Sequence, residues 1–139
     1  MRYVLDTNAV SALMKGDAQF VARLRSVSRA DIAVPQPVLA EISYGIERLP
    51  KSKRREALQQ RFDLVRVELA RAGWTDSVSE HFGTVKAALE KRGKRIEDFG
   101  AAIAAHALAA DAVLVTTNID DMARIPGVKI EDWAIVTQR

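Results

Sequence analysis

Apolar positions along the chain fall into short continuous runs and longer spaced runs, and the alternation of the two predicts the architecture. Residues 2–5 (RYVL) form the brief, nearly continuous kind expected of a strand buried on both faces. The run ends at Asp6, and Thr7-Asn8 can cap a helix carrying Val10, Leu13 and Met14 at helical spacing. Asp17 can cap a second helix with Phe20, Val21, Leu24 and Val27 on one face. Residues 31–34 predict another strand, closed by Pro35, and Pro37 opens a helix bearing Val38, Leu39, Ile42 and Ile46. Beyond Pro50, residues 52–72 read as a basic amphipathic helix that Gly73 ends. The next helix starts at Asp76 or Ser77 and runs to Gly93, with Val78, Phe82, Val85 and Leu89 inward. Residues 96–110 are alanine-rich and almost uncharged, which predicts a helix buried nearly all round. Residues 113–116 and 128–133 supply the last two strands.

Strands alternating with helices predict an α/β fold, a central, mainly parallel sheet of four to five strands flanked by helices. Right-handed crossovers then gather the strand carboxyl ends on one edge. The 139 residues suit one domain spanning 1–139, and 48% apolar with 28% charged residues is the balance of an ordinary globular protein. Cysteine is absent and histidine occurs twice, which excludes disulfides, thiolate nucleophiles and Cys- or His-rich metal sites. With no long apolar run and no leader-like N-terminus, the expectation is a cytoplasmic protein without membrane contact.

The topology places Asp6, at the end of the first strand, and residues 116–121, after the strand at 113–116, at the edge where open α/β sheets build sites. Glu41 and Asp98 lie near helix starts that could converge there. Oxygen-only ligands of this kind suit a hard cation such as Mg²⁺ or Mn²⁺, and grouped carboxylates repel one another unless a cation compensates them. The same residues also serve as helix caps, in Asp6 and Asp98, and as a surface charge in Glu41; spacing does not choose between the readings. Dinucleotide and phosphate-loop glycine motifs are absent. His81 and His106 sit in helices among apolar neighbours and read as structural or surface residues.

The net charge of +3 is mild, but its distribution is uneven. From Arg48 to Arg71 eight basic residues face three acidic ones, beginning with Arg48, Lys51, Lys53, Arg54 and Arg55. Lys91, Arg92, Lys94 and Arg95 form a second cluster. Each alone reads as a solvated helix face, whereas the two together make a polyanion partner plausible.

Five segments taken in order resemble a known family: residues 3–8 (YVLDTN), 38–45 (VLAEISYG), 103–107 (IAAHA), 114–118 (LVTTN) and 124–133 (RIPGVKIEDW). Together they resemble the PIN-domain ribonuclease toxins of VapBC toxin–antitoxin modules, over essentially the whole chain. The resemblance implies a PIN fold, Mg²⁺- or Mn²⁺-dependent endoribonuclease activity, homodimerisation and neutralisation by a VapB-type antitoxin. It also implies tRNA, initiator tRNA included, as the substrate. By the resemblance Asp6 and Glu41 are the first two acids and metal ligands, and Asn118 belongs to the T-x-N/D motif. Asp121 stands where an Asp or His is common, and Thr7 and Asn8 support the site. The third acid of the family stands three residues before the Ile-Ala-Ala run, a position occupied here by Gly100. Asp98, two residues upstream, is rotated by about 200° on a helix and is a poor replacement. A glycine inside an alanine-rich helix costs roughly 1 kcal/mol relative to alanine, so packing does not favour it. The expectation is impaired nuclease activity, and the alternative is a catalytically silent module that binds antitoxin or RNA.

Overall fold

The computed structural model describes residues 1–134. The last five residues of the expected 1–139 domain lie outside the described residues. Five strands, β1 (Tyr3–Leu5), β2 (Ile32–Pro35), β3 (Ala70–Ala72), β4 (Val113–Val115) and β5 (Lys129–Glu131), form one sheet in the order β3-β2-β1-β4-β5. Every neighbouring pair is parallel, so each connection must cross over, and helices supply the crossovers. α1 (Thr7–Met14) and α2 (Ala18–Arg25) lead from β1 to β2; α3 (Gln36–Glu47) and α4 (Lys53–Glu68) lead on to β3. α5 (Asp76–Lys91) and α6 (Asp98–Ala109) reach β4, and α7 (Ile119–Met122) precedes β5.

The central strands are apolar because helices cover them: Val4, Leu5, Leu114 and Val115 are wholly buried. Phe20 of α2 and Phe62 of α4 are buried with them, each worth about 2–3 kcal/mol of transfer free energy. α6 is the helix expected to be buried all round, and residues 101–107 are all inaccessible. Their small side chains let it pack on α5, α3, β1 and β4 together. His106 is one of these buried residues. Its Nε2 has no partner among the described residues, its ring meets Trp74 edge-on at 5.7 Å, and burial pushes its pKa down, so it sits in the core as a neutral group.

The structure corrects the sequence reading at three places. The basic helix stops at Glu68 rather than residue 72, and Ala70–Ala72 turn into β3, paired with Ala33–Pro35 of β2. An Ala-Arg-Ala edge strand has no alternation or β-branched content to announce it, and its state comes from pairing. α1 is capped by Asp6, whose carboxylate accepts from the Thr7 N–H, so the cap reading of Asp6 holds and that of Thr7-Asn8 does not. α7, four residues long, is too short to show a helical period.

Candidate functional site

The sheet order reverses between β1 and β4: from the central β1 the chain moves first to β2 on one side, and later to β4 on the other. A crevice forms outside the carboxyl ends at such a switch point. Asp6 leaves β1 there and Thr116 leaves β4 there, with the Asp6 N–H donating to the Val115 carbonyl at 2.9 Å.

A hydrogen-bond network ties these strand ends to two helices. Asp6 is 4% exposed, and its carboxylate accepts from the Thr7 N–H at 2.7 Å, the Thr116 hydroxyl at 2.8 Å and the Asn8 amide at 3.4 Å. Burial pushes the Asp6 pKa above the usual aspartate value, and those three donors offset part of the rise. The Thr7 hydroxyl donates to the Glu41 carboxylate at 2.6 Å, which brings α3 to the same place. Thr116 is the hub: its oxygen also accepts from the Asn118 N–H at 2.9 Å and the Asn8 amide at 3.2 Å. The Asn8 carbonyl accepts from the Thr117 N–H at 2.9 Å, which fixes the turn after β4. At its end the Asn118 amide donates to Asp121 at 3.4 Å, and Arg124 pairs with the other oxygen of Asp121 at 3.3 Å.

These residues face a cleft of about 880 Å³, which Asp6, Thr7, Asn8, Glu41, Gly100, Asn118 and Asp121 all line. Segments far apart in the chain therefore converge as expected. Asp98 does not join them. It pairs with Lys86 at 3.1 Å beside a separate hollow, because two residues along α6 carry it around the helix from the wall that Gly100 lines. A Cβ added at Gly100 would meet only Met122 and Ile96 side-chain atoms, at 3.6 and 3.8 Å, which are ordinary contacts at that point of the wall.

None of the expected basic contacts lines the cleft. Arg55 pairs with Glu47 at 2.9 Å, Arg48 lies over the Tyr44 ring, and Lys51 sits with Arg55 at a small hollow of α4. Lys53, Arg54 and Lys91 are exposed. Arg92 donates to the Arg124 carbonyl at 3.0 Å, and Lys94 and Arg95 flank Asp98 in its separate hollow.

Sequence reasoning placed Thr116 at the site edge within residues 116–121 but gave it no role of its own. A hydroxyl closing an apolar strand, 0% exposed, is the signal that marks it. Sequence reasoning missed Lys15, Asp17 and Glu97, which line the cleft through helix ends that periodicity places loosely.

Among the described residues no three His, Cys, Asp or Glu side chains are grouped as a metal cage. What remains is the pair Asp6 and Glu41, joined through Thr7. An all-oxygen pair fits Mg²⁺, which commonly takes one or two carboxylates and completes its shell with water and substrate phosphate.

Residues 3–128 match the family of PIN domains. The chain is 34% identical to ribonuclease VapC2 of Rickettsia felis, over 96% of this chain and 98% of the relative. It is 27% identical to the tRNA(fMet)-specific endonuclease VapC of Salmonella typhimurium, with the same coverage. Among solved structures it is similar to VapBC2 of Rickettsia felis bound to a DNA fragment from their promoter. That match has a TM-score of 0.86 and 31% identity, and covers 96% of this chain and 99% of the other. No described helix is long and apolar enough to cross a membrane.

Proposed function

The chain belongs to the PIN-domain family, and on that footing we propose that it is the ribonuclease toxin of a type II toxin–antitoxin module. It is a hydrolase of RNA phosphodiester bonds, dependent on Mg²⁺ or Mn²⁺, with tRNA, initiator tRNA included, as substrate. A VapB-type antitoxin holds it in check and it pairs with a second copy of itself in the cytoplasm. The names of the relatives in Rickettsia felis and Salmonella typhimurium support the nuclease and substrate parts, and the VapBC structures support the antitoxin.

The observation that carries the reading is the joining of Asp6 to Glu41 through Thr7, at the switch point of the sheet. Asp6 and Glu41 are the residues that would hold a divalent ion. When bound, such an ion would supply polarisation of the scissile phosphate and a water acidic enough to give up a proton and attack as hydroxide. The protein's own part is positional. Thr116, Thr7 and Asn8 hold the Asp6 carboxylate in one orientation, Thr7 holds Glu41, and the Asn8–Thr117 bond keeps the Asn118 turn against the cleft. In hydrolysis a water oxygen bonds to phosphorus as the bond to the leaving ribose oxygen breaks, and that oxygen takes up a proton.

On this reading the chain is a weakened form, because the third carboxylate that the family resemblance calls for is absent at Gly100, a cleft-lining position where a Cβ meets only ordinary contacts. The same residue favours a second reading, a silent module that binds antitoxin or RNA without cutting. A tRNA cleavage assay on this chain and on Gly100→Asp, each with Mg²⁺ and with EDTA, separates them. The expected result is slow cleavage that EDTA abolishes and that the variant accelerates about 100-fold, a large effect for one ligand. Antitoxin binding without cleavage by this chain, even in excess Mn²⁺, would select the silent module. A variant no more active than the parent would refute the role given to position 100.

A further inference from the structure

Among the described residues lining the cleft, five carry carboxylates, Asp6, Asp17, Glu41, Glu97 and Asp121, and one, Lys15, carries a positive charge. An RNA strand entering such a cleft meets a lining whose charge is mostly negative. A divalent ion at Asp6 and Glu41 offsets it for the scissile phosphate, while the flanking phosphates need a cation of their own. Of the arginine and lysine clusters at 48–55 and 91–95, none lines the cleft; Lys94 and Arg95 border a neighbouring hollow beyond Ile96 and Glu97, and the first cluster lies on α4 and the turn before it.

Lys15 is placed to do so. It follows the last residue of α1 and is exposed, and among the described residues its side chain makes no ion pair. Several neighbouring acids are already engaged. Asp17 accepts from the Gln19 and Phe20 N–H groups at 3.1 Å each, Asp121 pairs with Arg124, and Glu41 accepts from Thr7. Thr7, Ser11 and Lys15 stand four residues apart, on one face of α1. All three border both the cleft and an adjoining groove of about 310 Å³ toward α3 and α4, so they form the ridge between the two hollows. Eight residues of helix span about 12 Å, roughly the reach of two nucleotides of extended backbone.

We propose that Lys15 is a phosphate-binding residue: its ammonium holds an RNA backbone phosphate about two nucleotides from the one that meets Asp6 and Glu41, with the Ser11 hydroxyl between them. This rests on the ribonuclease reading above. A lysine suits the task, since a compact, mobile point charge on a flexible stem holds a phosphate and releases it. Such a contact positions the strand and carries no base preference.

The test is binding of fluorescently labelled bulk tRNA by anisotropy, in EDTA so that nothing is cut, between about 50 and 200 mM KCl. Lys15→Gln should weaken binding about three- to tenfold at the low-salt end and flatten the plot of log K against log salt by about 0.7, the loss of one single-strand phosphate contact. Lys15→Arg should restore both, and with Mg²⁺ present the Gln variant should raise KM and leave kcat unchanged. Salt-dependent tRNA binding by the parent with the same affinity and slope in Lys15→Gln would overturn the assignment and leave the ribonuclease reading standing. Absence of salt-dependent tRNA binding in the parent, both in EDTA and with Mg²⁺ supplied, would overturn both.

Discussion

On one wall of the cleft, Asp6, Thr7, Asn8, Glu41 and Asn118, with Thr116 buried behind them, hold one another through hydrogen bonds that link two strand ends to two helices. On the other wall, the first turn of α6 offers Gly100 and a Glu97 carboxylate that caps nothing. The first wall accepts a costly arrangement, a buried carboxylate whose pKa burial has raised, and secures it with three donors. The second wall has no such investment, and no packing constraint requires its glycine, which lies in the first turn of the helix. Chemistry that needs fixed geometry is concentrated where the hydrogen bonds are. The bare wall is where activity can be lost without loss of fold.

The contrast can be broken from the ordered side. The largest effect is expected from Asp6→Asn. Mn²⁺ at about a hundred times its dissociation constant should stabilise the parent by about 2.7 kcal/mol, and this variant should lose that gain in a thermal-shift assay. In EDTA the sign reverses. Because burial raises the Asp6 pKa, the folded chain binds that proton more tightly than the unfolded one. The Asp6 contribution therefore makes the parent's stability fall as pH rises out of the ordinary aspartate range, and Asp6→Asn should remove that fall. A melting temperature that follows the same pH curve in both proteins would contradict the cause assigned to the shift.

Thr116→Val keeps the shape of the side chain and removes the hub. The buried Asp6 oxygen then lacks its best donor, and urea unfolding should report a loss of about 1–3 kcal/mol. Thr7→Val frees Glu41 while the Thr7 backbone N–H still caps onto Asp6. Calorimetry should show Mn²⁺ affinity falling about tenfold, with the melting temperature in EDTA little changed. The smallest effect belongs to Asp98→Asn. Its pair with Lys86 is 65% and 43% exposed, so the change should be under about 0.5 kcal/mol, with Mn²⁺ binding intact. Weakened Mn²⁺ binding there would restore Asp98 to the site.

The ordered wall was largely legible in the amino-acid sequence, and the reason is local. Residues 3–5 and 113–115 are apolar runs that break abruptly at a polar residue, so the ends of β1 and β4, and with them Asp6 and the Asn118 turn, are marked by composition alone. The uninterrupted alanines of α6 announce its burial equally well. What periodicity misses is pairing and phase. β3 is three residues whose strand state depends on β2, and the true start of α6 at Asp98 decides that Glu97 and Gly100 line the cleft while Asp98 turns away. Thr116 was placed at the edge but given no role, because a single hydroxyl at a strand end has no pattern around it. Its importance is visible only in the three partners that meet it.

The difference between the walls is tested most directly by titrating Mn²⁺ calorimetrically into this chain and into Gly100→Asp side by side. A Cβ at this position meets only ordinary contacts, so the substitution should leave the fold in place. The expected result is weak binding by the parent that depends on Asp6 and Glu41, and binding about 100-fold tighter in the variant. Superimposable isotherms would contradict it, and would mean that position 100 lies beside the ion site without belonging to it.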